Sequence, residues 1–135
     1  MNLSALPPVL LVGVGGAAGS IARYLVSTWT MQAAGSPKFP LGTLAVNLIG
    51  CLLAGMLAGW VERTPLFDEH TRLLLMVGVL GGFTTFSSFG LETAQLIRRG
   101  DWLVASGYVG SSLLLGLAAV LLGLRLTGST LFAQG

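Results

Sequence analysis

The stretch between Gly81 and Glu92 carries the side chains of this sequence that are best suited to form a polar site. It opens with two adjacent glycines and then interleaves phenylalanines with hydroxyl side chains: Phe83, Thr84, Thr85, Phe86, Ser87, Ser88 and Phe89. Adjacent glycines weaken a helix and let backbone carbonyls turn away from its hydrogen-bond ladder. These residues can therefore form hydrogen bonds through neutral hydroxyls and through freed backbone carbonyls.

This stretch lies in a run without a charged residue from Leu73 to Leu91, which is long enough to cross a bilayer core. Broken backbone at membrane depth is tolerated only where it is buried in protein or lines a water-filled path. We therefore predict a membrane helix that is broken at Gly81 and Gly82 and that forms part of a site as well as an anchor.

Catalytic and metal chemistry built on histidine, cysteine or carboxylate clusters has no support in the sequence. The single His70 lies in a polar loop, and no second His or Cys is available to complete a metal site. Cys51 lies in an apolar run and is predicted to be a small core residue. The sequence has no phosphate-binding loop, and no basic cluster with interleaved aromatics for nucleic acid. These observations argue against an enzyme.

Composition indicates an all-α integral membrane protein that forms one domain over residues 1–135. The chain is 53% hydrophobic and 9% charged, whereas a soluble domain carries about 25% charged residues. Met1 to Pro8 lacks the basic residue of a cleaved signal, so the first apolar run is predicted to be a membrane helix. The uncharged stretches predict four helices, at about 9–30, 41–61, 73–97 and 102–124.

Isolated polar residues within these helices leave alternatives open. Arg23 either extends toward the helix end to reach water or faces a vestibule that concentrates anions. Asn47 has the side chain that commonly joins helices at lipid depth. Tyr108, Ser112 and Gly116 share one helix face, where a polar track and a packing seam fit the spacing equally well.

The basic residues predict insertion in both orientations. Cytoplasmic loops usually carry an excess of Lys and Arg. Four helices place both termini on one side, and the two sides then carry Arg63, Arg72 and Arg125 against Lys38, Arg98 and Arg99. Arg23 lies near the second side. Because this balance gives no bias, an antiparallel homodimer of the two orientations is a plausible assembly.

Three sequence blocks resemble the Fluc (CrcB) family of fluoride channels. The first is Gly81-Gly-Phe-Thr-Thr-Phe-Ser-Ser-Phe-Gly-Leu-Glu92-Thr93, which matches the family signature. The others are Gly15-Gly-x-x-Gly-x-x-x-Arg23-Tyr24 and Pro40-Leu-Gly-Thr-Leu-x-x-Asn47-x-x-Gly50. With the four helices, the resemblance covers nearly the whole chain.

The resemblance implies a channel that exports fluoride passively across the bacterial inner membrane. It implies a dual-topology antiparallel homodimer with two pores and a central structural sodium ion. By position, the backbone carbonyls of Gly81 and Thr84 would coordinate that sodium. Unwound carbonyls are suitable oxygen ligands for such a cation.

The resemblance also assigns pore residues. Phe86 and Phe89 correspond to paired pore phenylalanines, whose positive ring edges can contact a small anion. Asn47 would donate an amide N–H, Tyr108 and Ser112 would form the adjoining polar track, and Arg23 would face the vestibule. Hydroxyls would come from the set Thr84, Thr85, Ser87 and Ser88. Gly116 and Phe83 differ from the residues that the family carries at the corresponding positions, a hydroxyl residue in some members and an aliphatic residue, respectively.

Two other functions compete with this one. A small dual-topology, proton-coupled exporter of cationic drugs needs a carboxylate at the centre of the membrane, usually in the first helix. That helix carries Arg23 instead, and the only candidate carboxylate, Glu92, lies past the centre of the third helix. A non-transporting assembly subunit would account for the small-residue seams but not for the broken third helix.

Overall fold

The fold is a bundle of four long helices in the described part of the chain. The computed structural model of the protein describes residues 6–35, 38–64 and 67–129. Three spans are continuous helices: α1 (Pro8–Ala33), α2 (Leu41–Arg63) and α6 (Trp102–Leu126). The remaining span, Glu69–Arg98, is also long and apolar enough to cross a membrane. Four membrane-spanning helices are thus confirmed. Of the segment from Met1 to Pro8, which lacks the basic residue of a cleaved signal, residues 1–5 lie outside the described residues.

The third span consists of four helical segments in series. They are α3 (Glu69–Arg72), a π-helical segment (Leu73–Leu80), α4 (Gly81–Phe83) and α5 (Phe86–Arg98). Asp68 caps the start of α3 by accepting a hydrogen bond from the Thr71 N–H at 2.9 Å. Hydrogen bonding from Thr71 lowers the pKa of the Asp68 carboxyl. The π-helical segment was not predicted from the sequence.

The predicted break is present, but it lies at Thr84 and Thr85 rather than at the paired glycines. Both threonines are extended, with φ −78° and ψ 157° at Thr84 and φ −149° and ψ 113° at Thr85. Gly81 and Gly82 are helical. A side chain at Gly82 would collide with the backbone of Gly16 on α1, so this glycine permits close helix packing.

Glycines let the spans pack closely against one another. On α1, Gly15 and Gly19 face the third span, where a Cβ at Gly19 would collide with the Val79 carbonyl. On α2, Gly55 faces the backbone of α6 near Val120. Such contacts let helix backbones approach closely without large side chains between them.

The outer surface is apolar, as expected for a protein in lipid. Leu103 is 89% exposed, Val9 is 80% exposed and Leu114 is 73% exposed. The buried core is small and centres on Leu96, Ala105 and Tyr108. Much of the apolar surface therefore faces lipid or another protein chain.

Candidate functional site

The extended backbone at Thr85 is held by the carboxamide of Asn47 on α2. The Asn47 Nδ2 donates to the Thr85 carbonyl at 3.0 Å, and the Thr85 N–H donates to the Asn47 Oδ1 at 2.9 Å. Both backbone groups of Thr85 leave the helical ladder, and unpaired groups of this kind are costly in an apolar environment. Asn47 therefore stabilises the break from within the same chain.

This double hydrogen bond leaves donor capacity on Asn47. A side-chain amide carries two N–H hydrogens, and the bond to the Thr85 carbonyl uses one of them. Asn47 also lines a groove of about 380 Å³. The residue can thus join α2 to the break and still present one N–H to a ligand.

Hydroxyl groups gather at the start of α5. The Thr85 Oγ1 accepts a hydrogen bond from the Ser88 N–H at 3.2 Å, which caps the helix. The same hydroxyl donates to the Ser88 Oγ at 3.1 Å and lies 3.3 Å from the Ser87 Oγ. A helix N-terminus carries partial positive charge and favours anions. The start of α5 therefore suits a small anion without any cationic side chain.

The break also releases the two carbonyls predicted to bind sodium. In a continuous helix, the N–H of residue i+4 would donate to the carbonyl of residue i. The Thr85 N–H donates to Asn47 instead of to Gly81, and the Ser88 N–H donates to the Thr85 side chain instead of to Thr84. Gly81 and Thr84 thus provide neutral oxygens of the kind that a hard cation accepts.

Four aromatic rings form a connected series beside the break. The centroids of Phe86 and Phe89 lie 5.6 Å apart, and those of Phe89 and Tyr108 lie 5.2 Å apart. Tyr108 in turn meets Phe39 edge-on at 5.5 Å. Phe86 is 82% exposed on the surface of the protomer, whereas Tyr108 is fully buried. Phe86 and Phe89 thus lie on one face of α5.

Glu92 has a place in the site that the sequence analysis missed. Its carboxylate accepts hydrogen bonds from the Tyr108 hydroxyl at 2.7 Å and from the Thr43 hydroxyl at 2.8 Å. The Tyr108 hydroxyl is therefore directed at a carboxylate. Spacing offered a signal for this cluster, because Thr43 lies one helical turn before Asn47 and Glu92 lies one turn after Ser88.

Ser112 supplies a free hydroxyl to the first groove. Its Oγ is buried and has no hydrogen-bond partner among residues 6–35, 38–64 and 67–129. The groove brings together six residues predicted for the site: Asn47, Thr84, Thr85, Phe86, Phe89 and Ser112. A buried donor without a protein partner is costly unless a ligand or water satisfies it. Ser112 is thus available to a bound ion.

A second groove, of about 460 Å³, reaches the break from the side of α1. It is lined by Arg23, Ser20, Thr43, Thr85, Ser88 and Glu92, among others. Arg23 lines this polar groove, and its role in a vestibule stays a prediction. Thr85 lines both grooves.

Comparison with known proteins identifies the family. The sequence profile of the CrcB-like protein family (Camphor Resistance, CrcB) matches residues 10–124. A protein of Agrobacterium fabrum named fluoride-specific ion channel FluC is 49% identical over 124 residues, which is 92% of this chain and 98% of the relative. A protein of the same name from Methylobacillus flagellatus is 45% identical over 125 residues, covering 93% of this chain and 98% of the relative. The chain therefore belongs to the CrcB/FluC family of fluoride channels and is a multi-pass membrane protein.

Proposed function

We propose that this chain conducts fluoride passively out of the bacterial cytoplasm. The observation that carries the proposal is the Asn47-braced break at Thr85, which opens onto a groove lined by Phe86, Phe89 and Ser112. The relatives named as fluoride-specific ion channels support the choice of ion. Efflux of fluoride from liposomes that hold the purified protein, compared with efflux of chloride, tests this function.

The proposed pore replaces the water around fluoride with neutral donors. The ring edges of Phe86 and Phe89 are positively polarised. Asn47 contributes an N–H, and Ser112 contributes its buried hydroxyl. Neutral donors bind weakly enough to release the ion, as conduction requires. Chloride is larger and fits the same donors poorly.

The two grooves suggest a route for the ion. Fluoride enters the Arg23 groove, reaches the hydroxyls of Thr85 and Ser88, and then passes to the groove of the phenylalanines. Ser87 is exposed at the start of α5 and adds a further hydroxyl. Tyr108 positions Phe89 by ring contact and holds Glu92 by its hydroxyl. No residue in this account has a catalytic role.

A proton-coupled drug exporter is the less suitable function. Its carboxylate must exchange protons and cationic substrate at the centre of the membrane. Glu92 is engaged by both Thr43 and Tyr108, and its groove also contains Arg23, which would repel a cation. Family membership favours the channel as well.

We further propose that two chains assemble as an antiparallel homodimer around one sodium ion, with two pores. Phe86 and Gly81 are exposed on the protomer although they lie at the centre of an apolar span. A partner chain would cover them and complete the lining of the pores. The freed carbonyls of Gly81 and Thr84, contributed by both chains, would hold the sodium at the contact.

Dual topology predicts that one position is accessible from both sides of the membrane. The variant Glu69→Cys, made in a Cys51→Ala background, places a single thiol at an exposed position at the start of the third span. Because Lys and Arg are balanced, impermeant thiol reagents should label about half of the molecules from each side. The measurement compares intact cells with inside-out vesicles. Labelling from one side only would exclude the antiparallel arrangement.

A further inference from the structure

A third groove adjoins the Arg23 groove. It has a volume of about 230 Å³, and its rim carries two cations, Lys38 and Arg99. Its remaining lining includes Ser27, Thr43 and Glu92, which also line the Arg23 groove. The two grooves are therefore neighbours. Together their lining extends from the exposed cations Lys38 and Arg99 to Thr85.

The backbone fixes both cations at this rim. Lys38 lies just before α2, which begins immediately after Pro40. Arg99 caps the end of α5, where Gly100 has φ +80° and its N–H donates to the Ile97 carbonyl at 3.0 Å. The neighbouring Arg98 lines another depression, together with Gln95 and Arg99, and does not line this groove. Of the two adjacent arginines, only Arg99 lines this groove.

The charges that line the two connected grooves are net positive. Lys38, Arg99 and Arg23 contribute three positive charges, and Glu92 contributes one negative charge. The Glu92 carboxylate also accepts two hydrogen bonds, which partly offset its repulsion of an anion. Charges of one sign around a narrow cleft raise the local concentration of counter-ions.

We propose that Lys38 and Arg99 form the entrance of the fluoride path and draw the anion into the Arg23 groove. This inference rests on the proposed channel function and identifies the outer end of the fluoride path. Both residues are exposed, so their contribution is long-range attraction in water rather than coordination. Such attraction extends about 30 Å at an ionic strength of roughly 0.01 M but only about 3 Å at roughly 1 M.

The test measures initial fluoride flux in liposomes of zwitterionic lipid, at subsaturating fluoride, with ionic strength raised by an impermeant salt. At low ionic strength, Lys38→Gln and Arg99→Gln should each reduce flux about twofold to threefold, because a unit charge about 8 Å away in water changes the local anion concentration by that factor. Lys38→Glu should reduce flux further, and Lys38→Arg should restore it. All variants should match wild type at high salt.

Arg98→Gln is the matched control, because it removes the same charge one residue away but outside the groove. It should change flux less than Arg99→Gln does. Wild-type protein that carries no fluoride would overturn the proposed function itself. Wild-type flux with no difference between Arg99→Gln and Arg98→Gln would overturn the entrance alone. A loss that persists at high salt, or that appears only with anionic lipid, would also overturn it.

Discussion

Replacing either Phe86 or Phe89 with isoleucine is expected to reduce fluoride flux at least about tenfold while leaving the protein folded. Isoleucine is bulky and apolar but lacks the positive ring edge that would face the ion. The opposite contact, a cation over a ring face, contributes about 2 kcal/mol or more when desolvated. An anion at the ring edge meets the other pole of the same quadrupole, and a contact of similar size corresponds to a factor of ten or more. The measurement is fluoride efflux from liposomes at matched protein content.

Phe83 is the internal control for this prediction. It is only 6% exposed and does not line the groove that contains Phe86 and Phe89. Phe83→Leu should therefore conduct as wild type does, apart from any loss of stability. Methionine in place of Phe86 should recover part of the flux, because its thioether is polarisable. Wild-type flux in both isoleucine variants would show that the rings only fill space.

Aspartate in place of Asn47 is expected to abolish measurable fluoride flux. The ionised side chain has no N–H to donate to the Thr85 carbonyl, so that hydrogen bond is replaced by repulsion between oxygens. A negative charge would also stand in the fluoride groove. Assembly should persist, since the observed bonds of Asn47 lie within one protomer. Flux and dimer content, from size-exclusion chromatography, are compared in the same preparation.

Gln32→Glu makes the same amide-to-acid change at an exposed position near the end of α1. Measured at high ionic strength, it should leave flux unchanged. If Asn47→Asp lowers dimer content and flux in parallel, then Asn47 acts mainly in assembly. The Asn47 assignment is wrong altogether if the aspartate variant conducts fluoride as well as wild type.

Much of the architecture was predictable because it follows from local composition. Uncharged stretches define the four spans, since a membrane excludes charge over about 20 residues. Gly15 and Gly19 lie four residues apart on α1, and this local spacing places both at a close helix contact. The i, i+3 spacing of Phe86 and Phe89 is a local feature that places both rings on one face of α5.

The predicted position of the break was wrong because the actual position depends on hydrogen-bond partners far along the chain. Intrinsic propensity favours a break at Gly81 and Gly82, yet both glycines are helical, and α1 packs closely against Gly82 through Gly16. The break instead occurs where Asn47 satisfies the backbone of Thr85 and where the Thr85 hydroxyl caps α5. Only the folded chain brings these residues together.

The π-helical segment and the role of Glu92 were missed for related reasons. Leu73–Leu80 is apolar throughout, so its sequence carries no periodicity that distinguishes one type of helix from another. The sequence alone presents Glu92 only as a candidate proton carrier, because its partners Thr43 and Tyr108 lie on two other helices. Tertiary contacts decide both features.

Fluoride efflux from liposomes that contain only the purified protein tests the central claim most directly. The liposomes are loaded with potassium fluoride and potassium chloride, and a potassium ionophore balances the charge that leaves. Passive conduction predicts rapid release of fluoride while chloride stays inside, without ATP or a proton gradient. Retention of fluoride, or release of chloride at the same rate, would contradict a fluoride channel built on the Thr85 break.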